Sequence, residues 1–196
     1  MNKKFVIEIG DVLLITDVQK DFLPGGALPV EGGNDIIPVL TEDLRIFYAA
    51  KAHVLASRDW HPNDHVSFNT QGGPWPPHCI KDTNGAKFSS DLKLPEHTLV
   101  ISKATELTHE SYSAFDGTIL ANELKRLGVK RLFIGGLATD YCIVNTVLDA
   151  RKLGLETVVL MDATLGINVN PGDVDSAIET MVTNGAQQAT VDDFPE

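Results

Sequence analysis

Three short stretches of this chain carry side chains whose chemistry depends on the fold bringing them together. Asp59, His61, His65 and His78 offer a carboxylate and three imidazoles within a span rich in Pro, Gly and Asn. Cys142 closes the segment GGLATDYC (135–142), where an apolar run gives way to a helical pattern. Asp17 ends the run VLLITD (12–17), and Lys103 follows TLVIS (98–102). Imidazole with carboxylate suits zinc, iron or manganese, and a thiol with a carboxylate and an ammonium at hand suits nucleophilic catalysis. A metal site beside an activated thiol points to a hydrolase.

The thiol is expected just inside a helix that starts at Thr139 and Asp140. Free N–H groups at a helix start favour an anion, and a nearby Lys103 ammonium favours it further, so a lowered thiol pKa is expected. Asp17 is placed to take the thiol proton and return it to a leaving group. Backbone N–H groups of Ala138 and Cys142 are candidates for holding an oxyanion, with Gly135 and Gly136 permitting the close turn. The plainer alternatives are an inert buried thiol at Cys142, a turn cap at Asp17 and a solvated lysine at Lys103. Cys79 adjoins His78 but has no helix start beside it, and ranks behind Cys142.

Asp59 and His61 stand two residues apart, so on an extended chain they face the same way. His65 follows, and His78 returns from PWPPHC (74–79). Three of the six histidines fall in this stretch, a concentration that favours a ligand role although the spacing matches no zinc-finger pattern. The alternatives here are a turn cap at Asp59 and a core position for Trp60. His53, His97 and His109 are given no role.

Strand and helix patterns alternate along the chain. Strands are expected at 12–16, 52–57, 98–102, 131–135, 156–160 and, more weakly, 187–191; helices at 35–50, 114–127, 140–153 and 172–184. Near-continuous apolar runs such as LFIGG and TVVL read as strands covered on both faces. The pattern predicts one α/β domain over 1–196: a doubly wound, six-stranded, mainly parallel sheet with helices on both faces, interrupted by an irregular functional loop at about 59–92. In such sheets ligands bind beyond the carboxyl ends of the strands, where Asp17, Asp59, Lys103 and Cys142 all fall.

Composition narrows the rest. With 16 basic and 27 acidic residues the net charge is −11, which argues against nucleic acid or an anionic membrane as partner and leaves a homo-oligomer open. The start, MNKKFVIEIGD, has no sustained apolar segment, and two cysteines make no disulfide framework, so a cytoplasmic location is the expectation.

LLITDVQKDFLPGGALPV (13–30), SRDWHPNDHVSF (57–68), PWPPHC, SYSAF (111–115) and GGLATDYC together resemble the nicotinamidase/pyrazinamidase group of the isochorismatase-like cysteine hydrolases. The resemblance implies Asp17 as general base and acid, Lys103 as electrostatic partner and Cys142 as nucleophile. It implies Asp59, His61 and His78 as ligands of one divalent metal, zinc first, with His65 a fourth contact, direct or through water. Phe22, Trp75, Tyr112 and Leu137 match substrate-pocket positions, and the Leu137–Ala138 peptide matches a cis bond beside the oxyanion hole. Ala104 stands where glycine is frequent. The implied reaction is hydrolysis of nicotinamide, and of pyrazinamide, through a thioester. Rival readings are a carbamoyl or ureido amidase, which needs no metal loop, an isochorismatase, and a non-catalytic metal-binding protein on the same fold.

Overall fold

The computed structural model describes residues 5–195; Met1 to Lys4, on which part of the reading of the chain start rests, lie outside them. Six strands, β1 (Asp11–Thr16), β2 (His53–Asp59), β3 (Leu99–Lys103), β4 (Arg131–Leu137), β5 (Glu156–Leu165) and β6 (Gln187–Ala189), form one sheet in the order β3-β2-β1-β4-β5-β6. Every pairing is parallel. The strand order reverses between β1 and β4, and that switch opens a crevice at their carboxyl ends.

The side-chain period of two divides β1 between two cores. Leu13 and Ile15 join Phe47, Leu40 and Phe133 under helix α1 (Ile36–Ala49). Val12 and Leu14 face the other way, toward α2 (Leu120–Arg126), α3 (Val144–Lys152) and α4 (Asp173–Thr183), where Leu124, Val147 and Met181 are buried. The expected doubly wound architecture, with helices on both faces, is present. Among the described residues no helix is long and apolar enough to cross a membrane.

Several boundaries differ from expectation, for local reasons. The helix expected over 114–127 starts only at Leu120. Gly117 sits at φ +67, and the Thr118 hydroxyl donates to the Ala114 carbonyl (2.6 Å) while accepting from the Leu120 N–H (3.1 Å). A hydroxyl that satisfies the backbone locally competes with the helical ladder. The helix expected over 140–153 begins with a π-helical turn, Thr139–Ile143, in which the Ile143 N–H reaches the Ala138 carbonyl at 3.0 Å. β5 runs on to Leu165 through an irregularity opposite β4: Ile134 pairs with Val159, but Gly136 pairs with Thr164. β2 and β4 extend two residues further than expected, so Asp59 is the last residue of its strand, as Lys103 is of β3.

The irregular stretch after β2 is pinned rather than loose. Isolated bridges join His61 to Ile80, Phe68 to Trp75 and Gln19 to Phe88. Gly136 marks the tightest approach at the switch point. A Cβ there would lie 2.0 Å from the Thr16 carbonyl oxygen, and its φ of +121 suits only glycine.

Candidate active site

Four strand ends deliver the reactive groups to one buried cluster. Asp17 follows β1 at φ +52, a left-handed conformation that is uncommon outside glycine and clusters at functional sites. Its Oδ1 accepts from the Ser57 hydroxyl at 2.8 Å, and its Oδ2 lies 3.1 Å from Lys103 Nζ. The same ammonium bonds Asp59 Oδ1, donates to the Ser111 carbonyl at 3.2 Å and reaches Cys142 Sγ at 3.4 Å. Ala104, next in sequence, has φ +49, which is why glycine suits that position. One atom each of Asp17, Asp59 and Cys142 lies within 4.8 Å of the others. That grouping is no cation site, because the Lys103 ammonium already occupies its centre.

The electrostatics reverse one expectation. Burial pushes the Cys142 thiol well above its ordinary pKa; Lys103 opposes this, while Asp17 and Asp59 add to it. The helix-start argument loses because the sulfur is withdrawn from water beside two carboxylates. Asp17 is also raised, by burial first and by Asp59, against the pull of Lys103 and Ser57. Burial disfavours the Lys103 charge, yet Asp17, Asp59 and Cys142 overcome it and hold the ammonium well above its usual range. The resting site therefore pairs a neutral thiol with an unusually basic carboxylate.

Cys142 lies within the π-helical turn that follows the cis Leu137–Ala138 peptide, and both Ala138 and Cys142 face the same cavity. Phe22, Trp75 and Tyr112 line it as expected, and so does Asp59 with His78. Trp75 Nε1 donates to the Tyr112 hydroxyl at 3.0 Å, and Tyr141 meets the Trp75 ring edge-on at 5.0 Å. Leu137 does not line the cavity. Its side chain is fully buried among the apolar groups under α1, so only its peptide borders the site.

Asp59 is held from behind. Its N–H donates to Gln19 Oε1 (2.8 Å), and Gln19 Nε2 donates back to the Asp59 carbonyl (2.8 Å) and to that of Ala86 (2.9 Å). His61 bonds through its backbone to Cys79 and Lys81, which draws His78 alongside. His61 Nε2 and His78 Nε2 lie 3.6 and 4.0 Å from Asp59 Oδ2. Both His61 ring nitrogens are buried without a partner, whereas His78 Nδ1 is fixed by the Pro76 carbonyl at 2.8 Å. Burial pushes the His78 pKa down, with Asp59 resisting, so the imidazole is neutral as a ligand must be. An orphaned imidazole, an oriented imidazole and an ionised carboxylate fit a divalent metal ion.

His65 stands apart from this set. Its ring lies against His61 at 4.3 Å, but Nδ1 is bonded to the Ser67 hydroxyl (2.7 Å) and Nε2 to the His109 carbonyl (3.0 Å). Both nitrogens are thus bonded within the protein, and the His65 ring packs against that of His61. Cys79 is buried with its thiol pKa raised, and its N–H donates to Asp21 Oδ2 at 2.7 Å.

Residues that the motifs did not single out also shape the site. Ser57 orients Asp17, Gln19 clamps Asp59, and Leu28, Tyr141 and Ile167 complete the cavity wall. Ser57 was traceable, since it precedes Asp59 by two on one strand face. Ile167 carried no signal, because it comes from the loop after β5.

A family model of the Isochorismatase domain matches residues 11–193, nearly the whole chain. The chain belongs to the isochorismatase family. Within that family, a nicotinamidase from Acinetobacter baylyi is 36% identical over 198 residues, covering 90% of this chain and 90% of its own. The crystal structure of the pyrazinamidase of Pyrococcus horikoshii in complex with zinc is 48% identical with a TM-score of 0.89, covering 92% of this chain and 99% of that one. PnC1 from L. infantum in complex with nicotinate is 34% identical with a TM-score of 0.85, covering 95% and 96%. The isochorismatase-family membership agrees with the motif resemblance and with the sheet order.

Proposed function

We propose that this isochorismatase-family chain is a nicotinamidase, hydrolysing nicotinamide to nicotinate and ammonia and accepting pyrazinamide. The observation that carries this reading is that Cys142 shares one small aromatic-walled cavity with Asp59 and His78. A nucleophile for a carboxamide and a donor set for a ring-binding ion thus face a single space. A carbamoyl or ureido amidase has no use for the second.

Asp17 takes the Cys142 proton as sulfur attacks the carboxamide carbon, its raised pKa making it a stronger base. The oxyanion is held by N–H groups at Ala138 and Cys142. Asp17 then protonates the nitrogen, the C–N bond breaks, and ammonia leaves a thioester on Cys142. Asp17 next removes a proton from water, which attacks the thioester carbon and releases nicotinate, and the thiol regains its proton. Lys103 keeps the negative charge that moves between Asp17 and Cys142 neutralised throughout. Phe22, Trp75 and Tyr112 hold the ring in the attack geometry.

Asp59, His61 and His78 would hold the metal, zinc in preference to iron or manganese, and it would supply a Lewis acid able to orient the pyridine ring. The proposal takes residues 1–196 as one hydrolase domain with 59–92 as its metal-binding loop, acting in the cytoplasm on a small-molecule substrate. Ammonia release from nicotinamide by metal-analysed protein, with and without chelator, tests it. Chelator-sensitive release is expected; no release from nicotinamide by metal-loaded protein overturns the reading.

A further inference from the structure

One wall of the cavity comes from the turn that leads from β5 to α4. Ile167 of this turn lines the cavity, while Asn168 stands at φ +56 and Val169 is 56% exposed. Beside this turn lies an open cleft bordered by Thr139, Thr164, Asn168 and Val174. Asn168 thus borders open solvent on one side of the turn, while Ile167 packs against the apolar groups under α1 on the other.

The side chain of Asp140 ties this turn to the segment that carries Cys142. Asp140 Oδ1 accepts from the Ile167 N–H at 2.9 Å, and Oδ2 accepts from the Asn168 N–H at 2.6 Å. Hydrogen bonds to an ionised carboxylate are the stronger kind, and a pair to consecutive N–H groups sets orientation as well as distance. Gly166 completes the clamp. A Cβ there would lie 2.3 Å from Val174 Cγ2 and 2.7 Å from Asp140 Oδ1, so any larger residue displaces the carboxylate or the helix. Asp140 stands two residues before Cys142 in the same π-helical turn, so nucleophile and wall are referenced to one short segment.

We propose that Asp140 is a positioning residue that holds the Ile167 wall at a set distance from Cys142, and that this wall determines which ring-substituted carboxamides enter. The inference rests on the nicotinamidase reading for its substrate class, and on the hydrogen bonds alone for the clamp. Asp140→Ala releases both amides and lets the wall retreat into the cleft beside it. Ile167→Ala removes the wall while leaving the clamp.

Two measurements test it. The first compares kcat/KM for nicotinamide with that for nicotinamides carrying one methyl group at each ring carbon in turn. Both Asp140→Ala and Ile167→Ala are expected to raise the relative efficiency of at least one methylated ring by about tenfold, the worth of roughly one methylene in an apolar pocket. KM for nicotinamide should rise more than kcat falls, and the Val169→Ala control should leave the ratios unchanged. The second follows amide hydrogen exchange at residues 167 and 168, expected to quicken at least about tenfold in Asp140→Ala and not in Asp140→Glu, which keeps a carboxylate in reach. Unchanged ratios in an active Ile167→Ala, or unchanged exchange in Asp140→Ala, overturns the proposal. Exchange reads the clamp with or without turnover, so a chain inactive on nicotinamide, which removes the function, still leaves the Asp140 clamp to stand or fall on that measurement.

Discussion

Asp59 and Lys103 are register partners at the carboxyl ends of adjacent parallel strands, and their side chains form a buried ion pair. One carboxylate thereby belongs to two sets at once. Through Oδ1 it pairs with the lysine that serves Asp17 and Cys142; through Oδ2 it faces His61 and His78. The ion site and the nucleophile are mechanically one unit.

Lys103→Met should therefore do more than slow turnover. It leaves Asp17 and Asp59 as neighbouring buried carboxylates without a counter-charge, and breaking a buried pair costs about 3 kcal/mol or more. The expected outcome is a loss of at least about 10²-fold in kcat/KM, typical of removing one electrostatic group from an active site, with a lowered melting temperature. Wild-type melting together with wild-type turnover in this variant is the contrary result.

His61→Ala separates ion binding from the thiol. His61 offers two buried nitrogens with no protein partner, so its loss removes a ligand and breaks no hydrogen bond. Elemental analysis should find the variant depleted of metal, with KM for nicotinamide raised by at least about tenfold, the lower range for losing part of a metal site. Alkylation of Cys142 by iodoacetamide should continue at a rate within a few-fold of the wild type. Full metal content in His61→Ala would count against the ligand set.

Cys142→Ala tests the nucleophile directly. With no sulfur in reach of Asp17 and Lys103 there is no atom to carry the acyl group, and ammonia release should fall by at least about 10⁴-fold. Mass spectrometry of the quenched wild-type enzyme should detect an acyl adduct on Cys142 that is missing from the variant.

The legible part of this site follows from parallel-sheet geometry. Asp17, Asp59, Lys103 and Cys142 all follow or end apolar strand patterns, and a parallel sheet must send those ends to one edge. The ion pair between Asp59 and Lys103 was not legible, because it depends on the register of β2 against β3, which no local pattern records. Nor was the sign of the Cys142 shift. Position at a helix start is written in the sequence, whereas the depth of burial that overrules it is a property of everything packed around the sulfur. Ile167 escaped for a related reason: its role depends on a carboxylate 27 residues earlier in the chain. The shortened α2 was readable in principle, since Thr118 beside Gly117 is a combination that disfavours a helix interior.

Asp43 carries a pH-dependent cost unrelated to catalysis. It lies on the buried face of α1, both carboxylate oxygens lack hydrogen-bond partners, and its pKa is raised to about 7 by burial first, then by Asp162 and Glu42. The charges that act on Asp43, Asp162 and Glu42, are both acidic, and Arg45 of α1 is exposed and paired with Glu42 instead. Between the unfolded value near 3.8 and the folded value near 7 the native state binds more protons than the unfolded one. Stability therefore falls as pH rises through that window, reaching a penalty of up to about 4 kcal/mol above it. Asp43→Asn keeps the shape and removes the ionisation. It should leave the melting temperature at pH 4 nearly unchanged and raise it by several degrees at pH 8, flattening the curve between them. A variant whose melting curve keeps the wild-type slope across that range would show that Asp43 is not the group being titrated, and that some other acid buried with the sheet carries the dependence.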